Sequence, residues 1–369
     1  MISDEGGSDD GDDASWQVSP SPGAAPPPGA PSLRSPAVPS SLEALTARPE
    51  RRHSRRPLPG EDVDRPVLIT GICGRLGRRL ARRLHRERAV VGIDRRDFEG
   101  RPKDVQHHKL DLRRKKTQDI FRQQRFSAVV HLGVMHDPRV SQAEHHSWNV
   151  AGFQRMLEFC AQYDVPKLVV LSSANVYGPR PDNAQFLSED APLLGGASFS
   201  EIRDLIEVDM LAQSFFWKHP QTETVILRPV HIVGAVRNAP SNYLRLPVIP
   251  TLMGFDPMVQ VVHQDDVVGA LCGALVPGVR GIFNLAGPAP LPLSRLIGHT
   301  GRPRVTIPHF LAESVIQRMW HLKVTSFPAP ELDHIRYVCM VDDRRAREVL
   351  HYSPQFDIAE TVRAIDEVC

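Results

Sequence analysis

The sequence predicts an α/β protein built on a doubly wound parallel sheet, with a smaller C-terminal lobe. Three observations carry this. Short, wholly apolar runs rich in β-branched residues recur along the chain, as strands buried on both faces require. Helical stretches separate them, and strand–helix alternation builds a parallel sheet. A glycine-rich turn joins the first run to a helix with one apolar face.

Val67–Thr70 is the first strand. The helix after the turn carries Leu76, Leu80 and Leu84 on one face, with Arg78, Arg79, Arg82, Arg83 and Arg86 on the others. Ala89–Ile93 is a second buried strand and ends at Asp94. Further strands are expected at Ala128–Leu132, Lys167–Leu171 and Val225–Leu227, and helices at Phe153–Gln162 and Ile202–Trp217. The sheet domain is expected over 66–235. From 236 to 369 the pattern turns irregular and proline-rich, as for a smaller substrate-binding lobe. Residues 1–65 run from an acidic Gly/Asp stretch through Pro26, Pro27 and Pro28 to Arg51, Arg52, Arg55 and Arg56. So little apolar surface cannot offset chain entropy, so the segment reads as a disordered tail. It is either a solubilising extension or a partner-binding tail with opposite charges at its two ends.

The 369 residues are 41% hydrophobic and 24% charged, with a net charge of +2, an ordinary balance for a globular protein. No overall field points to nucleic acid, and the arginines of residues 78–86 suit a solvated helix face without aromatic interleaving. The five cysteines are scattered and lack CxxC spacing, which fits reduced thiols in a cytoplasmic protein rather than disulfides or a zinc site. No apolar run approaches the roughly 18 residues that span a bilayer. The acidic N-terminus does not read as a secretory signal.

Thr70-Gly71-Ile72-Cys73-Gly74-Arg75-Leu76-Gly77 fits the pattern TGxxGxxG. A chain turning from strand to helix can bring its backbone against a pyrophosphate where no Cβ intervenes. The helix N-terminus then offers free N–H groups and its positive dipole end. A strand before the turn and an amphipathic helix after it are the context that gives the pattern meaning. Thr70, Gly71, Cys73, Gly74, Arg75, Leu76 and Gly77 are therefore the expected dinucleotide-binding residues. Asp94 ends the second strand, where a carboxylate meets the ribose hydroxyls of the adenosine and repels a 2′-phosphate, so NAD is expected over NADP. Arg95 and Arg96 follow at once and could accommodate that phosphate. Asp94 also suits a solvated strand end.

From about Pro66 to the C-terminus the chain resembles the extended short-chain dehydrogenase/reductase family, in particular its NAD-dependent epimerase/dehydratase branch. Asp111-Leu112 resembles the pair beside the adenine. His131-Leu132-Gly133 resembles the strand end lying against the cofactor, and Trp148-Asn149-Val150 the opening of the family's Asn-bearing helix. Ser172-Ser173-Ala174-Asn175-Val176-Tyr177-Gly178 closely matches SSxxVYG. Leu227-Arg228-Pro229, Val262-His263-Gln264-Asp265-Asp266-Val267 and Phe283-Asn284-Leu285-Ala286 follow in the family's order. The resemblance implies a Rossmann-type fold, cofactor contacts at Asp111, Leu112, Leu132, Gly133 and Asn149, and a hydrogen bond from Ser173 to a reacting sugar hydroxyl. It further implies substrate contacts at Asn175 and His231, a sugar nucleotide or related small molecule as substrate, and a homodimer formed through two helices. A serine in the place of Ser173 also suits capping of the following turn. His231 also suits a hydrogen-bonded strand end.

The resemblance breaks at the chemistry. The family's YxxxK places a phenol and an ammonium on one helix face, and the ammonium lowers the phenol's pKa. Here those places hold Phe199 and Arg203. Phenylalanine has no proton to exchange, whereas arginine keeps the positive charge and the donors. The string Tyr163-Asp164-Val165-Pro166-Lys167 has the right letters, but Pro166 forbids a continuous helix. The family's RxxN becomes Arg228-Pro229-Val230-His231, and Met258-Val259-Gln260 stands where an arginine meets the nucleotide. Two functions follow. The chain is an epimerase/dehydratase-like enzyme in which Ser173, with Tyr177, His231 or the substrate itself, replaces the missing tyrosine. Alternatively, it holds NAD for a structural or regulatory purpose with little turnover.

Overall fold

The computed structural model describes residues 65–134, 141–197, 200–236, 243–308, 310, 318, 333 and 335–366. The expected tail and Phe199 lie outside these. The strands are β1 Val67–Thr70, β2 Val90–Asp94, β3 Gln106–Lys109, β4 Ala128–His131, β5 Lys167–Leu171, β6 Glu223–Pro229, β7 His231–Val233, β8 Ile249–Leu252, β9 Met258–Val259, β10 Val261–His263, β11 Gly281–Leu285, β12 Leu291–Pro292 and β13 Arg304–Ile307. The helices are α1 Arg75–Leu84, α2 Lys116–Gln123, α3 Gln142–His146, α4 Gly152–Gln162, α5 Ser200–Lys218, α6 Gln264–Ala274, α7 Leu293–Thr300, α8 Arg344–Val349 and α9 Ile358–Arg363.

Seven strands form one sheet in the order β11-β6-β5-β4-β1-β2-β3, and every pair in it is parallel. This is the doubly wound, Rossmann-type order, in which the order of strand addition reverses between β1 and β4. Alternation along β1 shows why both faces need apolar residues. Val67 and Ile69 join the core beneath α1 and α6, with Leu80, Leu84 and Leu271. Leu68 joins the opposite core with Phe121, Phe153 and Val208, from α2, α4 and α5.

Two strands of the sheet fall outside the expected pattern. β3 reads Gln-His-His-Lys and lies at the sheet edge, where a strand needs no continuous apolar run. β11 extends the sheet on the far side of β6. The central sheet therefore takes a strand from beyond residue 236, and α6, also from beyond 236, packs on α1 through an Arg79–Asp265 ion pair at 3.0 Å. The sheet and the helices on it thus draw on residues from both sides of position 236. The smaller lobe has its own core around Tyr243, Ile249, Val261, Leu296 and Ile335. Among the described residues no helix is long and apolar enough to cross a membrane, and the described cysteines are free.

Candidate functional site

The C-terminal ends of β1, β2, β4 and β5 and the turns that follow them hold most of the expected site residues, whereas Asp111, Leu112, Asn149, Arg203 and His231 lie outside them. Gly71 takes φ +73°, and a Cβ there would stand 2.7 Å from the Leu132 carbonyl oxygen. Gly77 is needed for a different reason. A Cβ on it would lie 2.5 Å from the Gly71 carbonyl oxygen, inside the contact that seats α1 on the turn. Gly74 is the N-cap of α1 and leaves the helix's first N–H groups without a side-chain cap, facing the turn. Leu76 is buried under the helix. The Arg75 guanidinium donates to the Ala235 carbonyl, which ties the cofactor-side helix to the segment after β7.

Asp94 is almost wholly enclosed. Its Oδ2 accepts the Cys73 N–H at 3.1 Å and Arg96 Nη2 at 3.2 Å. Its Oδ1 accepts the Arg96 N–H at 3.0 Å and Arg96 Nε at 3.2 Å. Burial and the Asp94 charge push the Cys73 thiol up to about 11, so it stays protonated and donates to the Arg96 carbonyl at 3.3 Å. Next along the sheet, Asp111 is forked by Arg113, with contacts down to 2.6 Å, and Leu112 is buried beside it. Burial would raise the Asp111 carboxyl, but the Arg113 hydrogen bonds outweigh this and hold it below its ordinary range.

Asn149 is buried, but it does not open a helix. The helical run begins at α3, capped by Ser141, and Ser147–Ala151 is a π-turn between α3 and α4. That bulge aims Trp148 back at the sheet, where its Nε1 donates to the Gly133 carbonyl at 3.0 Å. Thr70 Oγ1 and His131 Nδ1 are hydrogen-bonded at 2.8 Å, linking the ends of β1 and β4. Burial lowers the His131 imidazole to about 4, so it is neutral at physiological pH.

The Ser173 turn rests on a buried polar network that joins three of the sequence segments singled out above. Arg228 forks Asp209 at 2.9 and 2.7 Å, and both are essentially without solvent contact. Arg228 Nη1 also donates to the Tyr177 hydroxyl at 2.8 Å, and that hydroxyl donates to Asn284 Oδ1 at 2.8 Å. Ser172 Oγ donates to Asp209 Oδ2 at 2.6 Å, and the Asn284 N–H donates to Glu189 Oε1 at 2.9 Å. The Tyr177 hydroxyl is thus engaged on both sides, by Arg228 and Asn284. It is committed to this network, and burial pushes its pKa up to about 12. Ser173 itself keeps partial exposure. Its oxygen accepts the Asn175 N–H at 3.2 Å, the capping role, and its hydroxyl proton stays free to donate elsewhere. Asn175 is buried within the same turn.

Arg203 lies on α5, exposed to solvent, and its stem faces Gly196, where a Cβ would meet its Cγ at 3.0 Å. His231 begins β7. It is half-buried, and burial lowers its imidazole to about 4, so it is neutral at physiological pH and a weak base. Tyr163 caps the end of α4, whereas Lys167 lies in β5 with its ammonium on the Ala274 and Val279 carbonyls and Glu223. This YxxxK string is therefore not a helical pair. Sequence reasoning missed Asp209, Glu189 and Cys339. The Cys339 thiol reaches the Ala174 carbonyl at 3.9 Å, bringing the C-terminal segment onto the Ser173 turn. Asp209 was readable as a carboxylate on the inner face of α5, beside Val208 and four residues beyond Leu205; nothing local marks the other two. Among the described residues no cluster of His, Cys, Asp and Glu could hold a metal ion.

The model of the NAD dependent epimerase/dehydratase family matches residues 67–253. The chain belongs to the NAD-dependent epimerase/dehydratase family. An uncharacterized protein of Mycobacterium tuberculosis (strain ATCC 25618 / H37Rv) is 28% identical over 314 residues, covering 82% of each chain. The structure of the Thermotoga maritima UDP-glucose 4-epimerase with UDP-glucose is similar at a TM-score of 0.64 and 18% identity, over 81% of this chain and 97% of that one. The Bacillus cereus UDP-glucuronic acid 4-epimerase in complex with NAD is similar at 0.62 and 17%, over 81% and 96%. At such identities these two structures speak for the fold.

Proposed function

We propose that this family member binds NAD and acts on a nucleotide sugar, or a related hydroxylated small molecule, by transient hydride transfer without the usual tyrosine–lysine pair. The observation that carries the reading is the turn between β1 and α1. Its glycines let the turn pack backbone on backbone against the end of β4, and it leads into a helix N-terminus without a side-chain cap, beside a strand-end carboxylate at Asp94. In this reading Thr70, Gly71, Cys73, Gly74, Arg75, Leu76 and Gly77 hold the pyrophosphate. Asp94 faces the adenosine ribose, Asp111 and Leu112 the adenine, and Leu132, Gly133 and Asn149 the middle of the dinucleotide. A bound nicotinamide supplies hydride acceptance and return.

Ser173 then hydrogen-bonds the reacting hydroxyl while the Asn175 N–H fixes its orientation, and the proton that leaves with the hydride passes to another group of the substrate. Arg203 brings fixed positive charge and planar donors to the place of the family's lysine. Asn175 and His231 flank the substrate, with His231 as a neutral hydrogen-bonding group. Met210 and Trp217, exposed a whole number of turns apart on α5, support pairing with a second copy.

The second reading, NAD binding with little turnover, draws on Tyr177. The one tyrosine of the Ser173 turn is locked in the buried network. Proton NMR with NAD and a panel of UDP- and dTDP-sugars separates the two. A new anomeric or dehydrated product that Ser173→Ala abolishes supports the enzyme. Unchanged sugars with broadened NAD signals support the second reading. The double change Phe199→Tyr with Arg203→Lys restores a general base, and such a base is worth about 10²- to 10⁴-fold in rate. Turnover rising in that range marks an eroded enzyme, and no rise marks a pocket that has lost its substrate geometry.

A further inference from the structure

We infer that Arg96 makes the adenosine end of this site tolerant of a 2′-phosphate, so that the protein takes NADP as well as NAD. The inference rests on the dinucleotide reading above. A strand-end carboxylate selects NAD when it is bare, since it accepts the ribose hydroxyls and repels a phosphate. Asp94 is not bare. Its two oxygens offer about four lone-pair sites. Four donors fill them: the Cys73 N–H, and the Arg96 N–H, Nε and Nη2, at 3.0 to 3.2 Å.

The same fork sets out the phosphate's partner. Two of the five guanidinium N–H groups of Arg96 are spent on Asp94. The other three remain for an anion, and the side chain is 60% exposed. Its Nη2 stands 3.8 Å from where a Cβ on Gly74 would lie, so the guanidinium is poised over the glycine turn. The Cys73 thiol, held protonated, fixes the Arg96 carbonyl and with it the loop. Arg95 is placed differently. Its guanidinium lies over the Trp148 ring at 5.0 Å, and Arg113 lies over the same ring at 5.2 Å while forking Asp111. Of the two arginines after β2, the structure thus assigns Arg96 to cofactor selection.

The test is equilibrium binding of NADH, NADPH, 5′-AMP and 2′,5′-ADP, read by fluorescence and calorimetry. The wild type is expected to bind NADH and NADPH within roughly tenfold of each other. A charge-assisted phosphate contact corresponds to roughly ten- to hundredfold in affinity. Arg96→Ala is expected to weaken NADPH and 2′,5′-ADP by that factor, while NADH and 5′-AMP hold or tighten because Asp94 is freed. Arg95→Ala is expected to weaken all four alike. Wild-type NADPH binding more than about a hundredfold weaker than NADH overturns the inference, as does an equal loss of both ligands in Arg96→Ala. Binding of neither dinucleotide overturns the dinucleotide reading itself, which separates the two failures.

Discussion

The strands β1 and β5 flank β4 and both end in a turn that faces the candidate site, but the two turns are built from opposite materials. The turn after β1 is made by subtraction. Gly71 and Gly77 are places where a side chain would strike the Leu132 and Gly71 carbonyls, so their lack of one lets backbone pack directly on backbone. The turn after β5 is made by addition. Ser172, Tyr177, Asp209, Arg228 and Asn284 fill the volume beneath it with mutually satisfied polar groups. A turn made by subtraction tolerates little change because backbone atoms are in the way. A turn made by addition tolerates little change because each buried group depends on its partner.

The largest expected effect probes the added turn. Asp209→Ala leaves the Arg228 guanidinium buried and unpaired, and should cost about 3–5 kcal/mol in denaturant unfolding. Replacing both partners, as Asp209→Leu with Arg228→Met, should recover much of that loss, because a buried pair is worth little over an apolar match of similar volume. A single-variant loss below about 1 kcal/mol would show that the Ser173 turn does not depend on the network.

Next comes a pH effect at the ends of β1 and β4. The folded chain keeps His131 neutral down to about pH 4, while an unfolded chain protonates it near 6.5. Between those values protons favour the unfolded chain, so stability should fall as pH falls through that window. The upper bound from this one imidazole is about 3 kcal/mol. Unfolding curves at several pH values should show the slope, and His131→Asn should flatten it. An unchanged slope would assign the effect to other groups, with His231, also lowered to about 4, the first to examine.

The smallest effect on stability is expected at the subtracted turn. Gly77→Ala forces the start of α1 away from Gly71, at about 1–3 kcal/mol. Dinucleotide affinity should fall more steeply than stability, because the helix N-terminus is displaced from its ligand. A variant that loses stability but keeps its affinity would show that the turn is a packing device only.

These differences follow how each region could be read in the chain. The strands β1, β2, β4, β5 and β6 were legible because strands buried on both faces need unbroken apolar runs. The glycine turn was legible because all its parts are adjacent in sequence. The departure from YxxxK at Phe199 and Arg203 was also read from letters alone, and Phe199 lies outside the described residues. β3 was not legible, because an edge strand can be polar. The helical run at Asn149 was misjudged in its start, because a π-turn leaves no simple periodicity. Tyr177 was offered as a substitute base because proximity in sequence to Ser173 says nothing about which side of the turn it faces.

By itself, then, the sequence determined the parallel doubly wound sheet, five of its strands and the glycine turn after β1, all of which reside in local pattern and adjacency. The tertiary structure alone decided that Arg228, Asp209, Tyr177 and Asn284 meet under one turn, and that the sheet borrows β11 from beyond residue 236. It also decided that Arg96, rather than Arg95, closes on Asp94. These are contacts between segments far apart in the chain or between neighbours whose rotamers the surroundings select. They are settled by burial, where an unpaired polar group is costly enough to dictate its partner.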